Sequence, residues 1–279
     1  MSAALWTPGA ERRSAARLTA FMQQVEQEQD RSFDGDYFAL QDWSVADPAA
    51  FWRTVWDFCG VQAEGDPGRV LADAHRFPGA RWFPDVRLNF AENLLRCRDD
   101  RPAIVSLLEN GERRVLSYAD LYTQVAALAA GLRRVGVRPG DRVAGFMPNV
   151  AETVVAMLAT TSIGALWSSC SPDFGINGVM DRFGQIEPKV LIAADGYYYN
   201  GKSHSSLERV AAIAGALASI EQVVVVPLVN AQPDVSAIRD VMLFDQLLQH
   251  DASDIEFERL PFDHPLYIMY SSGTTGVPK

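Results

Sequence analysis

The ten residues from Tyr270 to Lys279 (YSSGTTGVPK) have the composition of a loop that binds phosphate groups. Gly273 and Gly276 allow sharp backbone turns and a close approach to an anion. Lys279 adds a compact positive charge, and hydroxyl donors are supplied by Ser271, Ser272, Thr274 and Thr275. The residue types and their spacing therefore predict a polyphosphate-binding loop.

The loop is not a Walker A motif, in which a lysine directly follows a glycine and a hydroxyl residue follows the lysine. Here Val277 and Pro278 separate Gly276 from Lys279, and Pro278 offers no N–H group. A solvated turn rich in serine and glycine is the alternative interpretation of the same residues.

A buried strand is predicted immediately before the loop, at residues 265–270, where apolar and aromatic residues form an unbroken run. Upstream of it, segments typical of strands alternate with amphipathic segments typical of helices. Strands are predicted at 104–108, 113–116, 142–147, 165–170, 190–194 and 223–226, and helices at 117–135, 150–162 and 206–217. This alternation indicates an α/β fold with a mostly parallel sheet and helices on both faces. Such sheets bind ligands at the carboxyl ends of their strands, where the loop begins.

The first hundred residues are rich in aromatic side chains and predict a separate helical region. Asp47 followed by Pro48 is typical of a helix start. A second amphipathic helix is predicted at 88–95. The domain prediction is therefore a helical extension at 1–100 followed by an α/β domain at 101–279.

Composition excludes several classes of partner. The chain has 279 residues, of which 48% are hydrophobic, and its formal net charge is -10. An acidic chain is a poor partner for nucleic acid or for an anionic membrane. No signal-like or membrane-spanning apolar stretch is present, so we expect a cytoplasmic protein. Three dispersed cysteines predict buried thiols, with neither a disulfide framework nor a metal site: Cys59, Cys97 and Cys170.

The string at 270–279 resembles the phosphate loop of the adenylate-forming superfamily. The segment from Leu116 to Gly175, which contains LSYADL, GVRPGDRVAGFMPN and WSSCSPDFG, is similar to the core of the same superfamily. A long stretch before LSYADL is typical of its short-chain acyl-CoA synthetase branch. Within that branch, the strings at 82–95, 167–175 and 181–202 are most similar to the members that act on the β-keto acid acetoacetate.

The resemblance implies a two-step ligase that uses ATP, Mg²⁺ and coenzyme A. A carboxylate attacks ATP to give acyl-AMP and pyrophosphate, and the thiol of coenzyme A then displaces AMP. The residues expected to contact the ATP phosphates are Ser271, Ser272, Gly273, Thr274, Thr275, Gly276 and Lys279. The turn Asn200-Gly201-Lys202 matches a basic turn that contacts a phosphate of coenzyme A, and only Lys202 keeps a positive charge there. An ordinary solvated lysine is the alternative interpretation of Lys202.

In relatives of this kind the adenine, ribose and Mg²⁺ contacts and the catalytic C-terminal domain follow the phosphate loop. We therefore expect an α/β domain that is incomplete at its C-terminus, a chain that is an inactive part of a longer protein, and no catalytic residue within 1–279. Two alternatives stay open at this point. One is a synthetase for acetate, propionate or another short acid, and the other is a nucleotide-binding protein without catalytic activity.

Overall fold

The computed structural model describes residues 5–249 and 251–271, and the chain divides into two compact units. One unit comprises Met1–Arg87 with Pro261–Asp263, and the other comprises Leu88–Leu260 with His264–Lys279. Each unit is described separately below.

The first unit is built mainly from helices. Helix α4 begins as expected, because the Asp47 carboxylate accepts the Ala50 N–H at 3.0 Å and Pro48 occupies the first turn. Phe21 and Trp43 contribute to its apolar core. Its helices are α1 (Ala10–Ser14), α2 (Arg17–Gln29), α3 (Tyr37–Ala46) and α4 (Pro48–Cys59), and its short strands are β1 (Ala63–Gly65), β2 (Leu71–Ala72), β3 (Arg81–Trp82) and β4 (Val86–Leu88).

The second unit alternates strands and helices. Its first seven elements are α5 (Phe90–Leu94), β5 (Pro102–Leu107), β6 (Arg113–Ser117), α6 (Tyr118–Arg134), β7 (Arg142–Phe146), α7 (Ala151–Ser162) and β8 (Leu166–Cys170). They are followed by α8 (Ile176–Ile186), β9 (Val190–Ala194), β10 (Gly196–Tyr199), β11 (Lys202–Ser205), α9 (Leu207–Ala216), β12 (Gln222–Val226), β13 (Val241–Leu243), α10 (Phe244–Leu247) and β14 (Leu260–Pro261).

Five strands form one sheet in the order β13–β12–β9–β7–β8, and all neighbours are parallel. The central strand β9 is buried along its whole length. Val190 and Ile192 pack into an apolar cluster with α6 and α7, whereas Leu191 and Ala193 pack into a second cluster with α8 and α9. Both faces of the sheet are therefore covered, and the predicted α/β fold is confirmed.

Local sequence signals account for several element boundaries. Ser117 and Asp120 form a reciprocal capping box at the start of α6. Gly136 adopts a φ of 86° just after this helix, a conformation that glycine adopts without a steric penalty. The Asn110-Gly111 turn joins β5 to β6 in an antiparallel hairpin, as predicted.

Two predictions about local structure are wrong. Residues 265–270 do not form a buried strand: only Tyr267 bridges to Trp167, and Met269 is 82% exposed. The segment lies beside β8, the last strand in the order, so among the described strands it has a neighbour on one side only. Only one of the cysteines is a buried thiol, since Cys59 is exposed and Cys97 is half-buried. The helix predicted at 88–95 is present as α5 but begins at Phe90, because Leu88 belongs to β4.

Candidate functional site

A cavity of about 460 Å³ lies at the carboxyl edge of the parallel sheet. Strands β7, β8 and β9 all end at this edge, and the residues that follow each of them form its walls. The hairpin of β5 and β6 contributes a further wall. The lining residues are 107–109, 148–150, 171–173, 197–199 and Leu228. The position agrees with the expectation that ligands of an α/β sheet bind beyond the carboxyl ends of its strands.

The segment that leads into the predicted phosphate loop is attached to the edge strand β8. The Trp167 N–H donates to the Leu266 carbonyl at 3.1 Å, and the Ile268 N–H donates to the Trp167 carbonyl at 2.9 Å. The Ser168 hydroxyl donates to the Ile268 carbonyl at 2.8 Å. These three bonds fix where the chain leaves the sheet, which is beside the end of β8.

Tyr270, the first residue of the predicted loop, is bonded to helix α8. Its hydroxyl donates to the Arg182 carbonyl on α8 at 2.6 Å. Of the predicted phosphate-binding residues, only Ser271 is described, and it is exposed. The others lie outside the described residues, so their phosphate contacts stay predictions: Ser272, Gly273, Thr274, Thr275, Gly276 and Lys279.

Arg182 and Cys170 set the electrostatics beside Tyr270. The Arg182 guanidinium lies 4.8 Å from the centre of the Phe174 ring and 5.9 Å from that of Tyr270. Burial raises the pKa of the Cys170 thiol to about 11, although Arg182 acts in the opposite direction. Burial also raises the pKa of the Tyr270 hydroxyl. Both groups are therefore neutral at pH 7, and Cys170 offers no thiolate nucleophile.

The predicted turn that contains Lys202 joins two strands of a β-hairpin. Strands β10 and β11 are antiparallel and pair Tyr199 with Lys202. Asn200 and Gly201 both have positive φ, 51° and 73°, as in the tight turns that Asn-Gly pairs favour. Three consecutive tyrosines at 197–199, directly before Asn200-Gly201, are the sequence signal that could have predicted this hairpin.

Lys202 is exposed at the start of β11 and does not line the cavity. The opposite strand does, through residues 197–199. The Tyr197 ring stacks on His204 with 5.2 Å between ring centres, and Arg209 lies 5.8 Å from the Tyr197 ring. The Tyr197 ring thus lies beside both the His204 ring and the Arg209 guanidinium of α9, while the predicted role of Lys202 stays a prediction.

Among the described residues, no group of three His, Cys, Asp or Glu side chains could hold a metal ion. Over the same part of the chain, none of the helices combines the length and the apolar character needed to cross a bilayer.

A parallel sheet with a Gly- and hydroxyl-rich segment leaving its carboxyl edge defines the class of α/β nucleotide-binding proteins. The family described as "AMP-binding enzyme" matches residues 90–279, which is more than half of the chain, and the protein belongs to this family. A second family, described as "Acetyl-coenzyme A synthetase N-terminus", matches residues 37–94.

Two curated relatives and one solved structure show which members of the family the chain is similar to. The chain is 45% identical over 277 residues to an acetoacetyl-coenzyme A synthetase of Rhizobium meliloti, covering 99% of this chain and 42% of the relative. It is 43% identical to an acetoacetyl-CoA synthetase of Xenopus tropicalis, covering 88% of this chain and 38% of the relative. The solved structure of acetoacetyl-CoA synthetase from Streptomyces lividans matches with a TM-score of 0.91 and 43% identity, covering 98% of this chain and 42% of that one. The chain thus spans about two fifths of the length of these relatives.

Proposed function

We propose that the whole protein ligates acetoacetate to coenzyme A through an acyl-adenylate, converting ATP to AMP and pyrophosphate. The observation that carries the proposal is the similarity to proteins named acetoacetyl-CoA synthetase, at 42 to 45% identity with relatives of several organisms. The match with the AMP-binding family and the sequence of the phosphate loop support the adenylate chemistry.

The loop would act on the first step. The carbon of a carboxylate is a poor electrophile, so the acid must be activated before the thiol can attack it. A carboxylate oxygen attacks the α-phosphorus of ATP, and negative charge builds on the departing pyrophosphate. Backbone N–H groups, hydroxyls and a lysine held next to that charge stabilise it more than the ground state. We assign this role to Ser271, Ser272, Gly273, Thr274, Thr275, Gly276 and Lys279.

Coenzyme A would bind at the hairpin of β10 and β11 for the second step. The cavity beside the hairpin has the volume of a small-ligand site, and aromatic rings at 197–199 suit the stacking of a base. The exposed ammonium of Lys202 would meet a phosphate of coenzyme A. Lys202→Ala is expected to raise KM for coenzyme A, and Lys202→Arg is expected to keep it near the wild-type value because the charge is retained. Equal KM values for all three proteins would remove Lys202 from the site.

The proposal is tested by acid-dependent exchange of labelled pyrophosphate into ATP, using the protein as its gene encodes it. The acids are acetoacetate, acetate, propionate and malonamate. Malonamate is included because a malonamoyl-CoA synthetase of Penicillium aethiopicum is 38% identical over 99% of this chain. Acetoacetate is expected to give the highest kcat/KM. A higher value for another acid would assign the enzyme to that acid, and ATP binding without exchange for any acid would indicate a non-catalytic nucleotide-binding protein.

A further inference from the structure

Asp195 is a buried carboxylate at the end of β9 that the proposed chemistry does not use. Its side chain belongs to a residue that is only 4% exposed. One carboxylate oxygen, Oδ1, accepts the N–H groups of Leu228 at 2.8 Å and Val229 at 3.0 Å. The other, Oδ2, accepts the N–H of Asn230 at 2.7 Å. A buried charge is stable only with such partners, and here all of them come from the chain that leaves β12.

The backbone of Asp195 attaches the β10–β11 hairpin to the sheet. Its N–H donates to the Val226 carbonyl at 3.0 Å, and its carbonyl accepts the Ser206 N–H at 2.8 Å. Residues 196–205, which form the hairpin, lie between these two anchors. Asp195 therefore joins three pieces of chain: the end of the sheet, the base of the hairpin and the segment 228–230.

Packing at the base of the hairpin is close around Gly196. A Cβ atom added to Gly196 would overlap the His204 carbonyl oxygen and lie 3.1 Å from Cγ2 of Val229. The hairpin strands and the 228–230 segment are thus in close contact beside Asp195. Tyr197 and Leu228, one from each piece, both line the cavity at the carboxyl edge of the sheet.

We infer that Asp195 is a positioning residue for coenzyme A, because it holds two walls of the cavity in one arrangement, namely the hairpin that bears Lys202 and the segment at Leu228. This inference rests on the proposed function, in which that hairpin receives coenzyme A. In the described part of the chain, Asp195 makes its hydrogen bonds to the backbone at 226–230 and to Ser206. It acts through the backbone of 228–230 and through the base of the hairpin.

An amide cannot replace this carboxylate. Both oxygens accept hydrogen bonds, so Asp195→Asn places an NH₂ group against an N–H of Asn230, or against those of Leu228 and Val229 if the amide rotates. Loss of a charge-assisted bond in a buried site corresponds to about a ten- to hundredfold change in an equilibrium constant. The change is expected in KM for coenzyme A, because the walls of that site move.

The experiment compares the two half-reactions in the intact protein. Adenylation is followed by acetoacetate-dependent pyrophosphate exchange, which needs no coenzyme A, and thioester formation is followed at varied coenzyme A. Asp234→Asn is the matched control, because Asp234 lies on the same connection after β12, is exposed and accepts one backbone N–H, that of Ser236 at 3.1 Å. Gly196→Ala is a second variant that displaces the hairpin while Asp195 is intact.

Asp195→Asn and Gly196→Ala are each expected to raise KM for coenzyme A about tenfold or more while exchange stays within about twofold of wild type. Asp234→Asn is expected to match wild type in both assays. Equal losses of exchange and thioester formation, or failure of both variants to fold, would overturn the inference by showing a general structural role. Failure of the proposed function is distinguishable, because the wild-type protein itself would then show no acetoacetate-dependent exchange.

Discussion

Asn89 is the buried polar residue whose replacement should cost the second unit the most stability. It is 0% exposed and lies in the sequence string at 82–95 that resembles short-chain synthetases. Its Oδ1 caps α5 by accepting the N–H groups of Ala91 at 2.9 Å and Glu92 at 3.3 Å. Its Nδ2 donates to three carbonyls, those of Ser162 at 2.9 Å, Glu258 at 3.0 Å and Thr161 at 3.2 Å.

The contacts of Asn89 determine how much free energy of unfolding its replacement should cost. Loss of a helix cap costs about 1 kcal/mol. The two N–H groups of Nδ2 are shared among the three carbonyls, and each N–H is worth about 1 kcal/mol net. A larger penalty for orphaned carbonyls does not apply at Thr161 and Ser162, since they also accept the N–H groups of Gly164 and Glu258. Asn89→Ala is therefore expected to lower the free energy of unfolding by about 3 kcal/mol, with some loss of additivity among bonds of one side chain.

Asn89→Asp separates the cap from the donors. Aspartate caps a helix as well as asparagine does, but it cannot donate, and its second oxygen would face the three carbonyl oxygens. We therefore expect Asn89→Asp to be at least as destabilising as Asn89→Ala. Asn110→Ala is the control, because Asn110 accepts one N–H in an exposed turn and should change stability by about 0.5 kcal/mol or less. The assay is urea unfolding followed by circular dichroism and tryptophan fluorescence. Wild-type stability of Asn89→Asp would refute the role of the donors.

Three further predictions concern packing, ionisation and the loop. Gly131→Ala should destabilise the protein by about 1 to 3 kcal/mol in the same unfolding assay, because the new Cβ would overlap the Leu247 carbonyl oxygen. Gly215→Ala is the control, and it should be neutral or stabilising because open space surrounds Gly215. The pKa of the Cys170 thiol is raised from 9.0 to about 11 in the folded protein, so its contribution to stability is present below pH 9 and is lost as the pH rises towards 11. Cys170→Ala should therefore flatten the fall in the free energy of unfolding between pH 9 and 11. An unchanged slope would contradict this prediction. Lys279→Ala should slow pyrophosphate exchange roughly 10² to 10³-fold through lost charge stabilisation, and unimpaired exchange would exclude that role.

Periodicity and local caps predicted most of the second unit. The strands that became β5 to β9 and β12, and the helices that became α6, α7 and α9, lie within a few residues of their predicted positions. These elements carry strong local signals, such as the capping box at Ser117 and the wholly apolar β9. Local signals were sufficient because apolar periodicity and burial agree there.

The features that were predicted wrongly or not at all are those whose structure depends on contacts between segments distant in sequence. Strand β13 pairs in parallel with β12, but its three residues carry little periodicity of their own. Residues 265–270 are apolar enough for a buried strand, yet their cover depends on the rest of the fold. Asn89 and Asp195 could not be singled out, because their importance comes from carbonyl and N–H groups that are distant in sequence, at Glu258 and at 228–230. The segment that leads into the predicted phosphate loop runs beside β8, at the edge where the strand alternation led us to expect that loop.

The central claim is that a carboxylate oxygen of acetoacetate attacks the α-phosphorus of ATP. The most direct test is to supply the intact protein with acetoacetate labelled with ¹⁸O in its carboxylate, together with ATP and coenzyme A, and to analyse the nucleotide and phosphate products by mass spectrometry. Attack at the α-phosphorus followed by thiolysis transfers one labelled oxygen to AMP and leaves pyrophosphate unlabelled, which is the result we predict. Label in inorganic phosphate with ADP as the nucleotide product would show an acyl-phosphate route and would contradict the account.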